Sequence, residues 1–211
     1  MNIRDIRQEY TLGGMDDSYL GANPIDLFDR WFREAVNAGI NEPSAMALST
    51  LGTDGYPQSR IVLLKGYGEE GFSFFTNYES QKGNALAQYP KASLLFFWPE
   101  LQRQIRITGK VEKTSVEESE EYFRSRPRGS RLGAWTSEQS QEIPSRKTLE
   151  ERYEVFDRKF PEEDIPKPPH WGGYRLTPLT FEFWQGRENR LHDRISFRKE
   201  NGKWKTARLA P

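Results

Sequence analysis

The segment Phe181-Glu-Phe-Trp184-Gln-Gly-Arg-Glu-Asn-Arg190-Leu-His192-Asp193-Arg194 joins an aromatic strand to a turn and then alternates Arg190, His192 and Arg194 along one face. A Trp can wall a planar ring, an Arg can hold or polarise an anion, and a His titrates near neutral pH, so this hairpin could orient a flat substrate and assist proton movement. A hairpin with a charged outer face would use the same residue types, since no Cys and no Ser-His-Asp logic accompanies them. A second concentration of chemistry is Tyr122-Phe-Arg-Ser-Arg126-Pro-Arg128-Gly-Ser130-Arg131, with four arginines, two serines and a tyrosine in ten residues. The guanidinium fork suits phosphate oxygens and the hydroxyls can complete the shell, which points to a phosphorylated small molecule. The alternative is a solvated basic loop paired with Glu117, Glu118, Glu120 and Glu121.

Two further patterns are weaker. Ser80-Gln81-Lys82 opens a helix whose unpaired amides and dipole favour an anion, although Ser and Lys open many surface helices as plain caps. Arg60-Ile-Val-Leu-Leu-Lys65 puts a cation at each end of an apolar strand. Alternation predicts Arg60, Val62 and Leu64 on one face and Ile61, Leu63 and Lys65 on the other, so the charges point apart unless a bulge intervenes. An ordinary central strand with charged ends would read the same way.

The elements that must position these groups follow from spacing. Asn23 as N-cap, Pro24 at the first helical position and Gly39 as a stop predict a helix over 23–39 with Phe28, Trp31, Phe32, Ala35 and Val36 on its core face. Short β-type runs follow at 45–51, 59–65, 72–77, 92–98 and 104–112, the first two joined by an Asp54-Gly55 turn. Up to four more lie at 173–176, 181–185, 195–198 and 203–209, with helices over 80–89, 115–124 and 145–160. Many short strands with sparse helices predict a mainly β protein, a β-barrel decorated by helices.

The chain has 211 residues, 31 basic and 31 acidic side chains, no Cys and two His, His170 and His192. Zero net charge excludes a polyanion-coating protein and argues against a nucleic-acid partner. The absence of Cys excludes disulfides and thiolate chemistry, and two His argue against a His-rich metal site, so no metal is expected. With 13 Phe, 9 Tyr and 6 Trp the chain can fold as a single domain over 1–211, with an N-terminal segment of about 1–20 expected to be mobile. A mean hydropathy of -0.85 is polar for one globule, which favours an oligomer that completes its core between subunits. No run approaches the roughly 20 apolar residues of a membrane span and the N-terminus lacks a signal-peptide apolar region, so the expectation is a soluble, cytoplasmic protein with no membrane partner.

Taken together, Arg60 through Lys65, Ser125-Arg-Pro-Arg-Gly-Ser130 with Gly133-Ala-Trp135, Trp171-Gly-Gly, Phe183-Trp-Gln-Gly through Arg190-Leu-His-Asp-Arg194 and the ending Arg208-Leu-Ala-Pro211 resemble the pyridoxamine (pyridoxine) 5′-phosphate oxidase family. The resemblance spans nearly the whole chain from Arg7-Gln-Glu-Tyr10 and implies a homodimeric FMN-binding split β-barrel with two active sites at the subunit interface. It implies FMN contacts from Arg60, Ile61, Val62, Leu63, Leu64, Lys65, Phe75, Thr76, Lys82, Gln104, Gln139, Ser140, Trp184 and Arg194. Lys65, Tyr122, Arg126 and Ser130 would clamp the substrate phosphate, Arg190 and His192 would flank the pyridine ring as the catalytic pair, and Arg7 and Tyr10 would close over it. Two positions depart from the family pattern: Gln81 stands where many members have Arg, leaving an amide contact to FMN, and Phe75 where Tyr is common.

The implied reaction is oxidation of the 4′ carbon of pyridoxine or pyridoxamine 5′-phosphate by O2 to pyridoxal 5′-phosphate, with hydrogen peroxide and, from the amine, ammonia. A split-barrel FMN reductase of other specificity would not require the Arg126/Ser130 clamp. A non-catalytic carrier of FMN or pyridoxal phosphate would keep the anion contacts without needing Arg190 and His192.

Overall fold

Alternating apolar residues build nine strands: β1 (Ala45–Leu51), β2 (Pro57–Leu63), β3 (Gly66–Gly68), β4 (Gly71–Asn77), β5 (Lys91–Trp98), β6 (Arg103–Lys113), β7 (Trp171–Gln185), β8 (Asp193–Glu200) and β9 (Lys203–Leu209). The computed structural model describes residues 2–5 and 9–211, so Arg7 lies outside the described residues. All pairings are antiparallel, in the order β2-β1-β5-β6-β7-β4-β3, with β8 on β7 and β9 on β8. Because β2 and β3 end the path unpaired to each other, the sheet is split, not a closed barrel.

One face is the core. Met46 and Leu48 of β1, Leu94 and Phe96 of β5 and Ile105 and Ile107 of β6 are buried, while their sequence neighbours face outward. Five helices accompany the sheet: α1 (Pro24–Asn37), α2 (Gln81–Gln88), α3 (Val116–Ser125), α4 (Arg128–Thr136) and α5 (Arg146–Lys159). The Asn23 side chain caps α1 by accepting from the Ile25 amide at 2.8 Å, and Pro24 fixes its first turn. Phe28 then packs 4.8 Å from Phe72 and 5.2 Å from Phe96, and Trp31 5.3 Å from Phe183. Each such buried ring contributes on the order of 1.5–3 kcal/mol. The buried face of α1 sits nearer its start than the sequence predicts: Ile25 and Leu27 are buried and Val36 is half exposed.

Four elements differ from expectation, the first being the short strand β3, which no sequence run predicts. The runs at 173–176 and 181–185 are one strand, β7, whose register with β6 shifts so that Thr108 faces Thr180, Gly109 faces Pro178 and Leu179 is left over. Pro178 cannot donate to a ladder, and the bulge absorbs it while bending the strand. The strand over 59–65 runs instead from Pro57 to Leu63, so Lys65 lies past its end. Helix α4 was hidden because Gly129 and Gly133 carry low helix propensity, yet Pro127 stands at its N-cap and Leu132 packs with Phe123, Ile165 and Trp171 in a second small core.

Candidate functional site

A cavity of about 470 Å³ opens beside β2, the strand that ends the sheet path. Ile61, Val62, Leu63 and Lys65 line it from β2 and the turn beyond, Phe75 and Thr76 from β4, and Lys82 from the first turn of α2. Tyr122 of α3, Arg126 just after it, Ser130 of α4 and Gln139 of the following loop complete the wall. Asn77, Ser137 and Trp171 also line it and were not singled out as site residues; only Trp171 carried a signal, as the start of the Trp171-Gly-Gly motif.

The cavity is cationic. Lys65, Lys82 and Arg126 line it and, among the described residues, no carboxylate does. Lys82 Nζ donates to Gln139 Oε1 at 2.8 Å, Thr76 Oγ1 at 3.1 Å and Ser80 Oγ at 3.3 Å. Burial, with the nearby Arg60 charge adding to it, pulls Lys82 down to about 8. Arg126 lies with its guanidinium 4.7 Å from the Trp171 ring centre and 5.7 Å from that of Phe123, its Nη1 is buried without a hydrogen-bond partner, and burial lowers its pKa. Lys65 Nζ lies 5.9 Å from the Tyr122 ring. Phe75 stacks on Tyr122 at 4.1 Å and on Trp171 at 5.5 Å, giving one wall of near-parallel rings. Gly173, paired with Phe75, makes this wall possible: a Cβ there would stand 2.8 Å from Phe75 Cε1 and 2.4 Å from Thr114 Oγ1. Flat apolar walls with desolvated cations suit a planar ligand that carries phosphate.

The four arginines of the basic segment separate by partner. Arg124 pairs with Glu120, Arg128 with Asp157 and Arg131 with Glu163, leaving Arg126 as the one that faces the cavity. The solvated-loop alternative therefore describes Arg124 alone, and Arg128 and Arg131 hold α4 to the segment after it.

Other residues singled out in the sequence lie elsewhere. Arg60 and Val62 share the inner side of β2, as alternation predicts, and Arg60 Nη1 donates to Thr50 Oγ1 at 2.7 Å and Leu48 O at 3.3 Å. Leu64 is in the core, and Gln81 and Ser140 are exposed. Gln104, Trp184 and Arg194 form one cross-strand row on the outer face of β6, β7 and β8. Arg194 is held there by Glu182 at 2.8–2.9 Å and by Ala210 O at 2.7 Å, and Glu182 also pairs with Arg106. His192 packs 4.7 Å from Trp184, and Tyr10 closes on both rings at 5.8 and 5.7 Å. Arg190 is exposed, on consecutive left-handed residues with Asn189 at φ 56° and Arg190 at φ 61°.

The hairpin group and the cavity are far apart in one chain. The cavity is lined by β2 and by β4, which pairs with the start of β7, whereas the hairpin follows the end of β7. Along β7, Trp171 at the cavity and Trp184 at the hairpin stand at opposite ends of the 15-residue strand. Between them the outer face exposes Phe97 and Ile61. Among the described residues no group of three His, Cys, Asp or Glu could hold a metal ion, and no helix is long and apolar enough to cross a membrane.

Comparison with known proteins gives a consistent result. The chain matches the family model described as pyridoxamine 5′-phosphate oxidase over residues 32–157, and that of the pyridoxine 5′-phosphate oxidase C-terminal dimerisation region over 171–211. It is 55% identical over 210 residues to a pyridoxine/pyridoxamine 5′-phosphate oxidase of Cupriavidus pinatubonensis, covering 99% of each chain. It is 53% identical over 212 residues to one of Burkholderia multivorans, again covering 99% of each. Among solved structures it is similar to PhzG from Burkholderia lata 383 in complex with tetrahydrophenazine-1-carboxylic acid, with a TM-score of 0.88 and 31% identity over 95% of this chain and 100% of that one. An FMN binding protein from Nostoc punctiforme shares the fold, with a TM-score of 0.72 at 17% identity over 90% of this chain and 100% of that one.

Proposed function

The chain belongs to the pyridoxamine 5′-phosphate oxidase family, and on that premise we propose that it oxidises pyridoxine 5′-phosphate and pyridoxamine 5′-phosphate to pyridoxal 5′-phosphate with FMN as cofactor. The alcohol and O2 give the aldehyde and hydrogen peroxide; the amine, O2 and water give the aldehyde, hydrogen peroxide and ammonia. The observation that carries the proposal is a cavity lined, among the described residues, by three cations and no carboxylate, with a buried, unpaired Arg126 Nη1. An unmet buried guanidinium N–H costs about 1–3 kcal/mol, which an anion would recover.

The residues present fit FMN and a phosphorylated substrate. Lys82, Thr76 and Gln139, already converging on one point, would hold the FMN phosphate, with Arg60 adding charge from the inner face of β2. Ile61, Val62 and Leu63 would wall the flavin, and Phe75 its approach. Lys65, Tyr122, Arg126 and Ser130 would take the substrate phosphate. FMN, when bound, supplies the two-electron acceptor that O2 reoxidises. The protein then contributes positioning and electrostatics.

A second copy of the chain would bring Gln104, Trp184, Arg190, His192 and Arg194 to this cavity. The length of β7 between the two groups, the exposed Phe97 and Ile61 and the match to a dimerisation region support that arrangement. Arg190 would orient the substrate ring and hold developing charge, because a guanidinium does not readily give up its proton. Tyr10, seated on Trp184 and His192, would cover the ring.

The likeness to PhzG favours a second reading, oxidation of a polycyclic aromatic carboxylate at the same cavity. Peroxide release by the purified protein with pyridoxine phosphate, pyridoxamine phosphate and a phenazine-type carboxylate separates the two. Turnover of the phosphates alone supports the proposal, and turnover of the carboxylate alone replaces it. A colourless monomer that gains no flavin spectrum on FMN addition would overturn both.

A further inference from the structure

We infer that His192 acts as a neutral hydrogen-bond donor through Nε2–H, fixed in that tautomer by the backbone amide of Arg187, and does not act as a general base. The inference rests on the proposed function, in which His192 flanks the substrate ring. Arg187 N donates to His192 Nδ1 at 3.1 Å. A ring nitrogen that accepts a hydrogen bond holds its lone pair, so the one proton of the neutral imidazole is on Nε2. The loop is built for this return. Leu191 N donates to Glu188 O at 3.1 Å, and the left-handed pair Asn189 and Arg190 turns the chain so that the His192 ring comes back onto the amide that precedes the turn. Holding two non-glycine residues at positive φ costs on the order of 1–3 kcal/mol each, so the loop keeps this shape against a backbone preference.

The surroundings favour the neutral ring. Tyr10 and Trp184 pack on it, and Arg190 is the charge that bears on it from its own loop. The Arg187 side chain turns away to Gly13 O and Asp193, and Asp193 is engaged by Arg208 and the Met15 amide. Among the described residues no carboxylate bonds to the imidazole. Burial and then the Arg190 charge hold its pKa below the ordinary histidine value. Protonating Nδ1 would set one N–H against another at hydrogen-bond distance. The lone pair a general base needs is already used, and Nε2–H remains to meet an acceptor atom on the bound ring. His170 makes a contrast, because its Nε2 lies 3.0 Å from Ala134 O and must donate, a bond that survives protonation.

The chain has two histidines, so both can be observed separately. Long-range 1H–15N spectra of the full-length protein labelled with 15N-histidine, with His170→Asn for assignment, should show His192 Nδ1 unprotonated and Nε2 protonated at pH 7. A protonated Nδ1 at that pH overturns the inference. The second arm compares turnover of pyridoxamine phosphate by His192→Gln and His192→Ala. Glutamine keeps an amide donor near the Nε2 position but has no basic nitrogen, whereas a lost general base costs about 10²–10⁴ in rate. His192→Gln should keep more than about a tenth of native kcat and exceed His192→Ala; a greater loss, or no advantage over Ala, overturns the donor role. If the native protein oxidises neither vitamer, the proposed function falls while the spectrum still decides the tautomer.

Discussion

The Arg126 guanidinium carbon lies over Trp171, 4.7 Å from the ring centre, and Nη1 of the same group is buried without a hydrogen-bond partner. The indole thus holds a desolvated cation at the cavity wall before any ligand arrives. Arg126→Ala should raise KM for pyridoxine phosphate about ten- to a hundredfold with little change in kcat, since a charged hydrogen bond made equally in ground and transition states is worth about 1.5–3 kcal/mol. Steady-state kinetics with the FMN-loaded enzyme measure it. If KM holds while FMN is lost, the arginine serves the cofactor phosphate instead.

If Lys82 holds the FMN phosphate as proposed, it would link cofactor affinity to pH. In the empty fold it releases its proton near pH 8, whereas the unfolded chain keeps its proton into the higher, ordinary lysine range. Between those values the unfolded chain binds more protons, so the empty protein should gain stability as pH rises above 8. Thermal denaturation at pH 7 and 9 should show this gain, and Lys82→Met should abolish it while stabilising the empty protein at pH 7. FMN affinity should fall above pH 8 in the native protein and drop about tenfold or more in the variant, read by flavin fluorescence.

Gly186 leaves room for Tyr10. A Cβ at this position would stand 2.7 Å from Tyr10 Cγ, 2.8 Å from Tyr10 Cβ and 3.1 Å from Gln102 Cβ. Gly186→Ala should displace Tyr10 from Trp184 and His192, leave FMN bound and raise substrate KM by about three- to tenfold, the worth of one aromatic contact. An unchanged KM would mean that Tyr10 does not cover the substrate.

Phe97 is half exposed beside Gln104 in the outer row of the sheet. Phe97→Asp would place a charge in the face proposed to meet a second copy, at a cost of several kcal/mol when buried unpaired. Sedimentation should show a monomer that has also lost FMN affinity. A stable dimer would move the interface elsewhere.

Sequence reading recovered the parts of this fold whose cause is local. Asn23 and Ser115 start the helices expected from 23 and 115 through side chains bonded within three residues, the Ser115 hydroxyl accepting from the Glu118 amide. Helix α4 and the continuity of β7 depend on packing against Ile165 and Trp171 and on pairing with β6, which no local pattern reports. The site divides in the same way. Four arginines are visible in the basic segment, but Arg126 is set apart only because Arg128 and Arg131 find Asp157 and Glu163, 29 and 32 residues away. Tyr122 and Ser130 were legible in the same segment as hydroxyls that could complete a phosphate shell, whereas Lys65 joined them only through family resemblance, because the fold that brings it to them is long-range. Asn77 and Ser137 had no signal at all; Asn77 follows the cavity-lining Thr76, and its side-chain amide donates to Ser137 O at 3.5 Å.

Strand β7 carries Trp171 at one end and Trp184 at the other, so in the proposed dimer, with cavities completed in trans, lesions in the groups at its two ends would damage different sites. Mixed subunits would then complement. A heterodimer of Arg126→Ala and Arg190→Met chains would gather both defects in one site and leave the other wholly native. At substrate far below KM, where both homodimers are slow, random reassortment should therefore restore about a quarter of native activity, half of the dimers being mixed and half of their sites intact. Two cis-built sites would restore none, so the geometry of a single strand becomes readable as genetics.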